Sequence, residues 1–289
     1  WKTWYAYLFY LAFTISMIML FIRYKTREAQ LKMDLQLKQM EKQNIEISHN
    51  MGVQMFTNFS HELRTPLTLI IAPLTDLLHK EDMPPAYRQP LELINRNSQR
   101  LLWQVYRLMD FHKLEAGKMQ LHVSNYNLGT YIPEIIKLFM PVAEKKNISI
   151  EFNDTTSSTD TWFDAILLEK VFFNLLSNSL KHTPNGGYII ISSMETKTED
   201  VEKPENLGLP GVTILLIKVE DSGSGIPANM MPRIFEAFFQ AGEKVLGSGI
   251  GLNLTKSIIE LHGGRIWIDN KEGHGMTVSF TLPLGKDSY

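Results

Sequence analysis

Residues 3 to 22, TWYAYLFYLAFTISMIMLFI, carry no charge over a length that, as a helix, spans about 30 Å, the thickness of a bilayer's hydrocarbon core. The run predicts a membrane helix. A signal peptide or a buried core helix are the alternatives, and the run is too long for the apolar part of the first. Trp1, Trp4, Tyr5 and Tyr7 at one end and Tyr24 at the other read as interfacial belts. Arg23, Lys25 and Arg27 outnumber Lys2, which places the downstream chain inside. The chain opens on Trp1 rather than a methionine and stops soon after an expected strand, so we expect a segment of a longer protein.

Beyond Arg23 the chain turns charged, with no Gly or Pro before Gly52. Met33, Leu37, Met40, Asn44, Ile47 and Met51 alternate spacings of four and three, a heptad seam with one polar member. A two-stranded coil is expected over 25–54, against the plainer reading of a single solvated helix. Gly52 should soften the join to the next helix.

That next helix carries Phe56, Phe59, Leu63, Ile70, Leu74 and Leu77 on one face, with Pro66 at the skipped place. His61 is off this face, about 200° round from Phe59, and Thr65 follows one turn later on the same outward side. Taken alone, such a histidine is a solvated surface residue. Pro66 removes a hydrogen bond and crowds the carbonyl of Glu62, so a bend is expected there. After Leu78 the prolines 84, 85 and 90 should break helix, and Leu91, Ile94, Ser98, Leu101, Val105 and Leu108 then form a second seam ending near Ala116 with Gly117 as terminal glycine. Two such helices make a hairpin over 55–117. Alone, each hairpin would leave its stripe wet, which predicts a homodimer with a four-helix bundle.

Residues 118–285 read as an α/β layer domain. Strands are expected at 119–123, 148–152, 188–194, 212–220, 265–270 and 275–282, and helices at 130–146, 165–181 and 250–262. The charged run from Thr196 to Asn206 reads as a solvated loop. A net charge of -2 and the lack of a basic run argue against nucleic-acid binding by this segment. Zero cysteines exclude disulfides and thiolate metal sites, and the eight histidines show no metal-ligand spacing.

Four clusters in this domain can converge on one ligand. Asn174, Asn178 and Lys181 share a helix face; amide oxygens suit Mg²⁺, with Asn178 the metal candidate, and Lys181 suits phosphate. Capping or solvation is the alternative. In DSGSGI, Asp221 leaves a strand end with Gly223 and Gly225 behind it; a carboxylate accepts the hydrogen bonds that adenine's amine offers and guanine's oxygen does not. An ordinary turn is the alternative there. GSGIGL places Gly247, Gly249, Gly251 and Leu252 at a helix start, a natural phosphate cradle. Between these, Phe235, Phe238 and Phe239 precede a short loop, where core packing is the commoner use of aromatics.

The segment His61-Glu62-Leu63-Arg64-Thr65-Pro66 resembles the phosphoacceptor helix of sensor histidine kinases, His-Glu-x-x-Thr-Pro. The four clusters, in this order, resemble the ATP-binding domain of the same family, an α/β sandwich shared with gyrase-type topoisomerases, mismatch-repair ATPases and a heat-shock chaperone. FTNFSHELRTPLTLIIAPL and the preceding span are similar to hybrid sensor kinases of gut Bacteroidetes that control polysaccharide use, in which a periplasmic sensor precedes and a receiver and a DNA-binding domain follow. The resemblance implies a bacterial inner-membrane protein with one span here, cytoplasmic kinase domains, and ATP with Mg²⁺ bound by the clusters, Phe235 included. It implies phosphorylation of His61, whose neutral imidazole is a nucleophile at cytoplasmic pH, and passage of the group to a receiver aspartate. Glu62 would fix the ring's tautomer, and Thr65 would serve a phosphatase reaction. In relatives that hydrolyse ATP a glutamate stands where this chain has Asn174, so no base for water is supplied. A conformational ATPase and a nucleotide-binding scaffold are the rival expectations.

Overall fold

The structure is a computed structural model that describes residues 4–80, 84–156, 161–201, 211–240, 249–270, 273 and 275–285, with backbone alone at residues 6, 29, 34, 35, 37, 41–61 and 85. The chain separates into two compact units, residues 1–59 and 60–289. A first helix, α1 Trp4–Leu78, contributes to both. In the first unit it contains the stretch Tyr7–Met40, which by length and composition could cross a membrane. Leu8, Phe13, Met17 and Phe21 all lie exposed along it. The helix is assigned through Gly52, so the glycine does not end it. The coil seam through Leu37, Asn44, Ile47 and Met51, and Phe56 and Phe59 of the next stripe, lie outside the described side chains.

In the second unit, the end of α1 packs against α2 Pro85–Glu115. Leu67 and Leu74 are buried from one helix and Val105 and Met109 from the other. Arg64 stacks over Tyr106 at 4.9 Å and its Nη2 reaches the Met109 sulfur at 3.5 Å. Leu67 fills the place that the sequence pattern gave to Pro66. Helix α2 begins six residues before the expected Leu91: Pro85 takes the first position, where an N–H has no intrahelical partner, and Pro90 forfeits only its own bond to Ala86. Its end agrees with expectation, with Ala116 as cap and Gly117 at φ 61°.

The α/β part has a five-stranded sheet in the order β2-β4-β5-β7-β6 and a two-stranded sheet β1-β3. The strands are β1 Ser124–Tyr126, β2 Ser149–Asp154, β3 Thr161–Phe163, β4 Tyr188–Lys197, β5 Thr213–Asp221, β6 Ile266–Asn270 and β7 Met276–Pro283. Only β2 and β4 pair in parallel within the larger sheet. Helices α3 Leu128–Lys145, α4 Ala165–His182 and α5 Gly251–Leu261 share one core with it. Alternation places Ile189 and Ile191 of β4, Ile217 and Val219 of β5, and Val278 and Phe280 of β7 in that core, opposite Phe172 and Leu176 of α4.

Most expected elements are present to within a few residues; two differences have physical causes. Residues 119–123 are not a strand, because the backbone N–H of His122 bonds the Asp164 carboxylate at 2.8 Å instead of a ladder partner. The pairing begins at Ser124, and β3 was too short to register as a period. Asp164 also caps α4, accepting from the N–H of Leu167 at 3.0 Å, so one carboxylate ties the domain's first segment to the helix that carries Asn178.

Candidate active site

A cavity of about 570 Å³ opens among α4, α5, the loop after β5, and α2. Asn178 and Lys181 project into it from α4, Asp221 and Gly225 from the end of β5 and its loop, and Gly249, Gly251 and Leu252 from the start of α5. All four clusters therefore contribute to it, the fourth through Ile234, Phe239 and Gln240. Asn174, although on the same helix, is buried: its Nδ2 lies 3.4 Å from the Gly251 carbonyl and 3.4 Å from Thr255 Oγ1, steadying the first turn of α5 without lining the cavity. Gly223 is likewise behind the wall, and Gly247 lies outside the described residues.

Asp221 is 4% exposed and accepts from Ser179 Oγ at 2.9 Å and from the N–H of Gly223 at 3.0 Å. Burial pushes its carboxyl above the usual range, and these two donors pull it back toward ionisation. The backbone crowds it on both sides. A Cβ at Gly223 would come within 2.8 Å of Asp221 Oδ1, and one at Gly275, whose φ is 102°, would collide with the Asp221 carbonyl. The next loop is held by Asn270, whose Oδ1 accepts from Ile226 N–H at 2.7 Å while its Nδ2 donates to the Ile226 carbonyl at 2.6 Å. Nothing in the sequence pointed to Asn270, because its partner is 44 residues away.

The aromatic assignment changes. Phe235 does not line the cavity; its carbonyl accepts from Asn253 Nδ2 at 2.9 Å and its ring lies under Lys256. Phe239 lines it instead. The reason is Phe238, held at φ 64° with its N–H donating to the Gly249 carbonyl at 3.0 Å, which reverses the chain just before Phe239. Four residues that sequence reasoning did not single out, Arg100, Trp103, Gln104 and Arg107, complete the wall from α2.

Among the described residues the cavity wall therefore carries three cations, Arg100, Arg107 and Lys181, and one buried carboxylate, Asp221. Lys181 is pushed below the usual lysine range by burial and by the nearby charge of Arg100. His182, also on the wall, is held below the usual histidine range by burial and by Lys181, against an upward pull from Asp221. Such a wall suits an anion that also bears a hydrogen-bond donor. Asn178 presents a neutral amide to the same cavity, and among the described residues no set of three His, Cys, Asp or Glu side chains converges as a metal site. On α1, Glu62 and Thr65 are exposed and do not line the cavity, and the His61 side chain is outside the described residues.

Residues 53–117 match the His Kinase A (phospho-acceptor) domain, and residues 163–286 match the histidine kinase-, DNA gyrase B- and HSP90-like ATPase family. Histidine kinase P4 of Formosa agariphila is 33% identical over 99% of this chain, and hybrid signal transduction histidine kinase D of Dictyostelium discoideum is 37% identical over 80%. The chain spans 20% and 15% of those two relatives. Among solved structures, full-length ShkA in complex with AMPPNP shares the fold at a TM-score of 0.64, with 22% identity over 80% of this chain and 46% of that one. ThkA in complex with the response regulator TrrA does so at 0.52, with 24% identity over 82% and 63%. The chain belongs to the sensor histidine kinases of two-component systems.

Proposed function

We propose that this chain is the kinase segment of a membrane-anchored homodimer that phosphorylates His61 from Mg²⁺-ATP and passes the group to an aspartate of a receiver domain. The observation that carries the reading is the convergence of Asn178, Lys181, Asp221 and the glycines of α5 on one cavity, in a chain whose α1 contains the His61 segment. Adenine would meet Asp221, and the polyphosphate would lie toward Lys181 and the first turn of α5. Asn178 would hold Mg²⁺, which would neutralise charge on the phosphates. Phosphoryl transfer needs mainly alignment and charge neutralisation, and the imidazole of His61 supplies the nucleophile. Glu62 would hold the ring's other nitrogen, and Thr65 would align water for dephosphorylating the receiver. The receiver reading is supported by the TrrA complex of ThkA, and the nucleotide by the AMPPNP complex of ShkA.

The rival reading of a conformational ATPase is disfavoured by Asn174, a buried amide engaged with α5 where a water-activating carboxylate would be required. The proposed organisation is a membrane helix with flanks over 1–24, a signalling linker over 25–54, a dimerisation and phosphotransfer domain over 55–117 and an ATP-binding domain over 118–285. Exposed apolar residues from Leu8 to Phe21 support the span and hence an inner-membrane location. The test is incubation of the full chain with γ-labelled ATP. Acid-labile, base-stable label on the protein, lost in His61→Gln while ATP affinity stays within about tenfold, is the expected result. Free phosphate without labelled protein would favour the ATPase instead.

A further inference from the structure

Helix α2 has two working faces. Its apolar seam faces the hairpin, but Arg100, Trp103, Gln104 and Arg107 recur at spacings of three, four and seven and all four line the cavity. The face is held in place: Asp110 pairs with Lys170 of α4 at 2.6 Å, and Phe111 meets Phe238 edge-on at 5.5 Å.

Arg107 is the member whose surroundings are incomplete. Its guanidinium lies against the first residue of α5, close enough that a Cβ on Gly251 would collide with it. The same absent Cβ would stand 3.3 Å from Asn174 Oδ1, so the cation sits at the mouth of the glycine turn. A positive charge at a helix N-terminus is opposed by the helix dipole. Trp103 stacks on the guanidinium at 4.3 Å and holds its plane, while its Nε is buried with no hydrogen-bond partner. Burial pushes its pKa down to about 10, so it remains a cation, and among the described residues no carboxylate offsets that cost. Of the charged side chains on the wall, Arg100, Arg107 and Lys181 are cations and Asp221 is the one carboxylate among the described residues. A cation desolvated in this way, in a helix-start cradle and beside two others, is arranged for a polyanion.

We propose that Arg107, carried by the helical hairpin, is a polyphosphate-binding residue of the nucleotide site, so that bound ATP is gripped from both the α/β domain and α2 and favours their docking. The proposal rests on the nucleotide reading above. Trp103 is a positioning residue that presents the guanidinium, and Gly251 is required as much for the approach of Arg107 as for that of a phosphate. Nucleotide binding and the placement of the α/β domain on the hairpin are then one equilibrium.

The test is calorimetric titration of the full chain with the imido analogue of ATP and, separately, with adenosine. Arg107→Met should weaken the analogue about tenfold or more and leave adenosine within about twofold, and Arg107→Lys should recover part of the loss. In the parent, the analogue should also slow amide exchange over 100–111, and in Arg107→Met it should not. Unchanged or tighter binding of the analogue by Arg107→Met would overturn the proposal and make the side chain a plug in the cradle. An equal loss for adenosine would reduce Arg107 to a packing residue. A parent that binds neither probe overturns the nucleotide reading and this proposal together, whereas a parent that binds both with Arg107→Met unchanged overturns this proposal alone.

Discussion

The α/β part and the helical hairpin of this chain bury their apolar residues to very different degrees. In the α/β part Phe172, Phe280, Ile189 and Leu168 are fully buried, and the core closes within one chain. In the hairpin, Ile70 and Leu77 of α1 are 45% and 39% exposed and Ile94 and Leu101 of α2 are 47% and 49% exposed, although Leu67, Leu74 and Val105 beside them are buried. A closed core makes a folding unit that needs no partner; a hairpin with these seam side chains in water is half of something. The seam spacing foretold this, and it is the physical support for the proposed homodimer.

The largest expected effect that would separate the two regions is on stability. Phe280→Ala removes a ring packed against Phe172 at 6.0 Å in the closed core and should cost about 3–5 kcal/mol, abolishing nucleotide binding by unfolding the domain. Leu101→Glu should leave that domain's melting transition and ATP affinity nearly unchanged while turning the dimer into monomers in sedimentation. Retention of the dimer by Leu101→Glu would break the comparison, since the exposed seam would then not be the interface.

A next, smaller effect sharpens the reading of the cavity. Asp221→Asn should weaken ATP about tenfold to a hundredfold and relax the preference for adenine, because an amide can donate to the oxygen that guanine carries. Competition by GTP against labelled ATP reads this directly. Equal ATP and GTP affinity in the parent would remove Asp221 from base recognition. Asn178→Asp should keep an oxygen ligand but lower activity severalfold by adding charge beside phosphate; an unaltered Mg²⁺ titration in that variant would take Asn178 out of the metal site.

How much of this was legible in the sequence follows from the range of each signal. The core strands and the capped helix α4 were visible because their periods are local and long, and Asp221 with its glycines because a strand end followed by a turn is local too. The pairing of β1 with β3 was invisible, since three residues carry no period and the partners are 35 to 39 residues apart. The second face of α2 was hidden for a different reason. Arg100, Gln104 and Arg107 opposite an apolar seam look like any solvated helix face, and only the folded neighbour reveals what they meet. Phe239 in place of Phe235 turned on one left-handed residue, Phe238, at a φ that sequence does not announce for phenylalanine.

The smallest expected effect concerns a histidine that belongs wholly to the closed region. His262 is fully buried; its Nδ1 lies 2.8 Å from the Ile258 carbonyl and its Nε2 accepts the N–H of Asp164 at 3.1 Å. These bonds use the neutral ring with its proton on Nδ1, and protonation at Nε2 would break the bond to Asp164 at the cap of α4. Burial lowers its pKa below the ordinary histidine value, against smaller upward pulls from the Ile258 carbonyl and Asp164. The unfolded chain therefore takes up a proton at a higher pH than the folded chain, and stability from the neutral ring is fully present above the ordinary histidine range and lost as pH falls through it. The slope is at most about 1.4 kcal/mol per pH unit and ends below the folded pKa. His182, also lowered by burial, adds a slope of the same sign, so the informative quantity is the difference between parent and variant. His262→Gln should be less stable than the parent at pH 7.5 by about 1–3 kcal/mol, and the gap should narrow by pH 5.5 because only the parent carries this titration. Melting of the α/β domain in the full chain at the two pH values measures it, and parallel pH dependence in both proteins would show that His262 does not titrate between folded and unfolded states.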